Sequence, residues 1–166
     1  MEALWAPWRM EFIKGKRPDT CVFCDAFKAG KPDRERLVLH VGPSAGIVMN
    51  RFPYGHGHLL VMPRRHVAAI TDLSREENAE IMDLLQVSAK VLAEAMAPQG
   101  FNAGLNLGRA AGAGIEDHLH WHFLPRWLGD VNFLTLVGEL RSIPEHIAVT
   151  YDQLRPLFAK RFECVP

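Results

Sequence analysis

Residues 118–124 read His118-Leu119-His120-Trp121-His122-Phe123-Leu124. Imidazole and apolar side chains alternate throughout, which is the period of a β-strand. On that reading His118, His120 and His122 project to one side of a sheet, and Leu119, Trp121 and Phe123 project to the other, where they can be buried. Three neighbouring titratable rings repel once charged and offer no packing advantage, so their company calls for a chemical reason. Two reasons stay open. Alternating histidines chelate a catalytic metal in some lyases and hydrolases. Alternatively, one imidazole attacks phosphorus to form a phosphohistidine while its neighbours orient it and hold the phosphate. The preceding loop favours the second reason. Gly108, Gly112 and Gly114 flank Arg109 and Ala113 there, and such a loop can turn its backbone N–H groups inward as an anion nest.

Working outward, residues 36–41, 46–50 and 58–62 read as strands separated by Gly42-Pro43-Ser44 and by Phe52-Pro53-Tyr54-Gly55. Short turns between short strands predict an antiparallel meander. Residues 101–107 and 118–124 supply two more strands. The strongest helix lies at 75–97, where Ser74 and Glu77 form a capping box and Ile81, Leu84, Leu85, Ser88, Leu92 and Ala95 make one buried stripe. Pro98 and Gly100 end it. A closing helix is expected at 144–163, with Pro144 in its first turn. The order predicts a single α+β domain spanning 1–166, with an antiparallel sheet of about five strands and the long helix packed on one face. It divides into an N-terminal hook (1–20) carrying Trp5 and Trp8, a knuckle (21–32) whose short helix stops near Gly30 and Pro32, a core (33–143), and a C-terminal helix and tail (144–166).

Composition narrows the function classes. Nineteen Lys plus Arg against 19 Asp plus Glu give 166 residues a net charge of zero. That balance disfavours sequence-independent nucleic-acid binding, which needs a basic surface to displace counterions. No 18-residue apolar run spans a membrane, and the first ten residues lack the pattern of a secretory signal. Three cysteines, an odd number, two of them in Cys21-x-x-Cys24, suit a reducing, cytoplasmic setting. By itself the pair reads as a redox couple, half of a zinc site, or chance.

The 118–124 motif resembles the histidine triad, His-φ-His-φ-His-φ-φ, of the HIT superfamily of nucleotide hydrolases and transferases. The likeness extends to Leu4–Arg9, Asn50, 57–63, 101–108, Pro125-Arg126-Trp127 and 129–133, and it is greatest to the bacterial branch that phosphorolyses or hydrolyses diadenosine tetraphosphate. The resemblance implies the HIT fold, a homodimer, and catalysis through a nucleotidyl-histidine on His120. It implies that His122 contacts the phosphate and that His118 supports the geometry of the nucleophile. Asn50 would bond the ribose, Leu60 would wall the base pocket, and Asn106 with Gly112, Ala113 and Gly114 would cradle phosphate. The sequence departs from the family at Ala113 and Gly114, where most members carry Gln and then Ser or Thr. The stretch 115–117 is also about one residue longer than usual. Both departures favour the tetraphosphate branch over nucleoside phosphoramidate hydrolysis. A nucleotide-binding regulator with little turnover is the alternative outside the enzymes.

Several bacterial HIT proteins look similar in pairing Cys-x-x-Cys with two histidines at the positions of His66 and His118. The resemblance thus implies a structural zinc on Cys21, Cys24, His66 and His118, with no open position for chemistry and no organic cofactor. His58 reads as a residue holding a turn. His40, His56 and His146 read as surface or capping histidines, Cys164 as inert, and Glu116 and Asp117 as solvated charge or an acid near the leaving group.

Overall fold

The computed structural model describes residues 20–130 and 143–163. The hook at 1–20, except Thr20, the segment 131–142, and the tail with Cys164 lie outside the described residues. A short helix, Val22–Phe27 (α1), opens the described chain. Three strands follow, Val38–Val41 (β1), Ala45–Met49 (β2) and Leu59–Pro63 (β3), and then the long helix Arg75–Met96 (α2). Gly100–Leu105 (β4) and Trp121–Arg126 (β5) complete the sheet, and Ile147–Glu163 (α3) closes the fold. All pairings are antiparallel and the strand order is β1-β2-β3-β5-β4.

The first three strands make the expected meander, with β5 inserted between β3 and β4. Every residue of β2 and β3 is buried, so these central strands read as unbroken apolar runs rather than alternating ones. Leu59 and Val61 pair with Phe123 and Trp121, and Leu60 pairs with His122. Directly opposed residues share a face, so Leu60 and His122 lie together on one side and Leu59, Val61 and Phe123 on the other. Helix α2 covers the second side. There Met96 and Pro125 both crowd Gly57, and Trp127 Nε1–H donates to the Met96 carbonyl at 3.3 Å.

Helix α2 begins where its capping box predicts. The Glu77 N–H donates to Ser74 Oγ at 3.1 Å, and Glu77 Oε2 accepts the Ser74 N–H at 2.8 Å. Arg65 adds a two-pronged pair to the same carboxylate at 2.9 and 2.8 Å, which holds it below the usual carboxylate range. Ile81, Leu84, Leu85, Ser88 and Leu92 are buried as expected, and Val91 joins them.

Strands β2, β3 and β4 shift by one or two residues from the sequence reading, and four other boundaries differ for a local reason. Strand β1 starts at Val38 instead of residue 36 because Leu37 has φ 61°, a left-handed backbone that a strand cannot contain. Helix α1 starts at Val22, so Cys21 caps it and Cys24 lies within it. Helix α3 begins at Ile147, three residues after Pro144, because the His146 carbonyl accepts the Val149 and Thr150 N–H groups and its Nδ1 accepts that of Ala148. The triad strand begins only at Trp121. Before it the chain leaves β3, and the Leu119 N–H donates to the Val67 carbonyl at 2.7 Å. His122 therefore sits in the ladder, while His118 and His120 precede it.

Candidate active site and metal centre

All three triad histidines are buried, as are Leu119 and Phe123 on the alternate positions. The His120 and His122 ring centroids lie 5.0 Å apart. His120 Nδ1 lies 2.8 Å from the His118 carbonyl, and only a ring nitrogen bearing hydrogen bonds a carbonyl oxygen. Nδ1 thus carries the proton, and Nε2 is left with a free lone pair. Burial lowers the pKa of His120, against the raising effect of that bond, so the neutral, nucleophilic ring predominates near neutral pH.

A fourth histidine joins the site. His58 is fully buried, and its Nδ1 receives the Tyr54 backbone N–H at 3.0 Å and the Asn50 Nδ2–H at 3.2 Å. With Nδ1 accepting, the proton of the neutral ring resides on Nε2, which lies 3.0 Å from His122 Nδ1. His58 therefore donates to His122, and His122 keeps its own proton on Nε2. There Asn106 Nδ2 lies 3.3 Å away, so a proton on Nε2 calls for the amide turned end for end, with its oxygen accepting. A directed chain runs from the Tyr54 amide through two imidazoles to the His122 Nε2–H, on the ring next to that of His120. Burial and the neighbouring rings push His58 down to about 3, and burial with His120 pushes His122 down to about 4. His58 does hold the 50–58 turn, but its link to His122 has no periodic trace in the sequence. Tyr54 likewise has no signal in the sequence. Its half-exposed ring stacks on His122 with centroids 5.3 Å apart.

Behind the triad, Cys21, Cys24, His66 and His118 bring their ligand atoms within 4.8 Å of one another. His118 Nδ1 lies 3.3 Å from Cys21 Sγ and 3.5 Å from Cys24 Sγ, and His66 Nδ1 lies 3.3 Å from Cys24 Sγ. A tetrahedral zinc with Zn–S of about 2.3 Å and Zn–N of about 2.05 Å sets sulfur and nitrogen about 3.6 Å apart, so the four groups fit such an ion. The tautomer also fits. His118 Nε2–H donates to the Pro63 carbonyl at 2.8 Å, which frees Nδ1 as a ligand and fixes the ring from behind. His118 thus faces the thiols with its ring and His120 with its carbonyl.

The HIT domain profile matches residues 31–127. This chain belongs to the HIT family. It is 36% identical to an AP-4-A phosphorylase of Mycobacterium tuberculosis over 97% of this chain and 86% of the relative. It is 32% identical to an adenosine 5'-monophosphoramidase of Schizosaccharomyces pombe over 64% and 74% of the two chains. Among solved structures, a Zn-bound histidine triad family protein from Mycobacterium smegmatis superposes with TM-score 0.68 at 26% identity, covering 88% of this chain and 98% of that one.

Against the HIT pattern, the remaining expected positions fall unevenly. Leu60 is buried on β3 beside His122. Asn50 lies at the end of β2, where its Oδ1 accepts the Phe52 N–H at 3.0 Å while its Nδ2 serves His58. The loop is tied near Asn106 at one end and His118 at the other. Its short turn Arg109–Ala111 uses the Gly112 and Ala113 N–H groups internally, on the Arg109 and Gly108 carbonyls. An inward nest of these two amides therefore requires the turn to open. Gly112 and Gly114 are exposed, as are Arg109, Glu116 and Asp117.

Proposed function

We propose that this HIT enzyme transfers a nucleotidyl group from a dinucleoside polyphosphate, with diadenosine tetraphosphate as substrate, to phosphate or water through a covalent intermediate on His120. The His120 tautomer carries this reading. With Nδ1–H tied to the His118 carbonyl, the Nε2 lone pair attacks an α-phosphorus. A P–N bond forms and the P–O bond to the leaving nucleotide breaks. The His122 Nε2–H stabilises charge growing on the phosphoryl oxygens, held in place by His58. In the second step an acceptor oxygen displaces His120: phosphate gives ADP beside the released ATP, and water gives AMP. Asn50 bonds the ribose, Leu60 walls the base, and Asn106 with Gly112, Ala113 and Gly114 cradles phosphate once the loop opens. The 36% identity to an AP-4-A phosphorylase over almost the whole chain supports the substrate class.

Zinc on Cys21, Cys24, His66 and His118 is part of the same reading. All four positions are filled by side chains, so it holds the knuckle to the core and offers no vacant site to substrate. The solvent-facing edge strand β4, exposed from Phe101 to Gly104, supports a homodimer joined there, since an open strand edge invites pairing. The odd cysteine count with the Cys21-x-x-Cys24 pair supports the cytoplasmic setting we propose. A second reading, hydrolysis of a nucleoside phosphoramidate, is favoured by the 32% identity to a monophosphoramidase.

Incubation with diadenosine tetraphosphate, with and without inorganic phosphate, separates these outcomes. ADP plus ATP formed only with phosphate establishes phosphorolysis, and AMP plus ATP in either case establishes hydrolysis. Turnover of adenosine 5'-phosphoramidate with none of the tetraphosphate would overturn the first reading in favour of the second.

A further inference from the structure

The two cysteines hold more than a metal. Only Val22 and Phe23 separate them, and the Phe23 ring is buried with its centroid 5.4 Å from that of His118 and 5.0 Å from that of His120. A single helical turn thus carries both thiols and an aromatic wedge against the nucleophile. His118 is the other tie between the centres, since its Nδ1 faces both sulfurs and its carbonyl holds His120 Nδ1. Drawing the two sulfurs together into a bond would strain His120 along both routes.

These thiols are also reachable. Cys24 borders an open cleft of about 550 Å³ that Lys28, Arg64 and Arg65 also line, and His66 is exposed. Cys21 caps α1 and Cys24 lies in its first turn. Spacing two thiols this way across a helix start lets them close into a disulfide, as Cys-x-x-Cys oxidoreductases do.

We propose that Cys21 and Cys24 form a reversible oxidation site, at which a peroxide joins the two sulfurs, expels the bound metal and lowers turnover at His120. One thiolate attacks the peroxide, the O–O bond breaks, and a sulfenic acid forms while hydroxide leaves. The second thiolate attacks that sulfur, an S–S bond forms and the S–O bond breaks. Two electrons pass from the sulfurs to the peroxide, and two protons from solvent complete two waters. Zinc leaves unchanged in oxidation state, because a disulfide offers it no thiolate. The sulfurs of a tetrahedral site stand about 3.8 Å apart, whereas a disulfide needs about 2.05 Å. That closure of nearly 2 Å falls on the turn that presses Phe23 to His120. The proposal rests on the zinc reading above.

The test uses the full chain with Cys164→Ser, so that the third thiol does not contribute, treated with hydrogen peroxide. Metal content is measured first, and zinc release is then followed with a chromogenic chelator beside thiol titration, peptide mass mapping and turnover. The expected result is one equivalent of zinc released as two thiols disappear, a Cys21–Cys24 disulfide, and turnover lowered about 10- to 100-fold, the scale for small displacements of a catalytic group. Dithiothreitol with zinc should restore it. Zinc retained under peroxide, sulfinic acids in place of the disulfide, or full turnover after zinc release would each overturn the proposal and leave the zinc reading intact. A protein isolated without metal would overturn the zinc reading itself, and this proposal with it.

Discussion

Replacing His58 by Phe keeps a ring in a fully buried position and removes both of its hydrogen-bonding nitrogens. Three groups then lose a partner: the Tyr54 N–H, the Asn50 amide and His122 Nδ1. The first two are partly buried and recover some bonding from water. His122 Nδ1 is buried and recovers none, at a cost of about 1–3 kcal/mol. A stability loss of about 2–3 kcal/mol is therefore expected in urea unfolding. Catalysis should suffer separately, because His122 loses the donor that fixes its tautomer and its ring. If most of the buried cost falls on that orientation, kcat drops about 10- to 100-fold at 1.36 kcal/mol per decade. His58→Gln, whose amide N–H still donates toward His122, should regain part of the loss. Nitrogen-15 imidazole spectra supply a direct reading, with His122 protonated at Nε2 in the parent protein and as a mixture of tautomers in His58→Phe. A folded His58→Phe enzyme within threefold of the parent kcat, or a parent spectrum with the His122 proton on Nδ1, would refute the directed chain.

Three further expectations concern stability. His40 stacks on Phe162 with ring centroids 3.5 Å apart, and burial with the charge of Arg155 pushes it down to about 4. A lowered histidine pKa stabilises the fold fully above the unfolded value of about 6.5, and that contribution fades as pH falls toward 4. Between pH 8 and pH 5 the loss should be about 2 kcal/mol, and His40→Phe should lose less than the parent over the same interval in urea titrations. Ser74→Ala removes the acceptor of the Glu77 N–H and should cost about 1 kcal/mol in unfolding free energy while leaving kcat unchanged. Stripping the proposed zinc with a strong chelator, or Cys24→Ser, should lower the melting temperature by at least about 5 °C. A closed structural centre predicts that the melting temperature falls before activity does. Immediate loss of turnover without loss of stability would point instead to a metal that takes part in chemistry.

Much of this was legible in the sequence because period and caps are local. The Ser74–Glu77 box located the start of α2, the turns at 42–44 and 52–55 gave the meander, and alternation put Leu119 and Phe123 in the core. The cluster of Cys21, Cys24, His66 and His118 was legible only through resemblance, since 97 residues separate its first and last members. Alternation misled at one point. It placed three histidines on one strand, whereas the chain leaves the ladder before Trp121 and His118 turns toward the thiols, because the Val67 carbonyl takes the Leu119 N–H. Leu37 broke β1 through a left-handed backbone that nothing in its side chain announces. The sequence presents His58 only as a turn-holding residue. A single histidine at the head of a strand has no pattern, and its bond to His122 depends on a register set 64 residues later.

The proposed mechanism requires His120 Nε2 to become covalently bound to phosphorus. The most direct measurement mixes enzyme with diadenosine tetraphosphate, quenches in alkaline denaturant within the first turnovers because phosphohistidine is acid-labile, and maps the peptides by mass. An adenylyl group on His120, formed and lost at rates matching turnover and absent from His120→Asn, is the predicted result. Full turnover with no adduct on His120, or turnover persisting in His120→Asn, would contradict it.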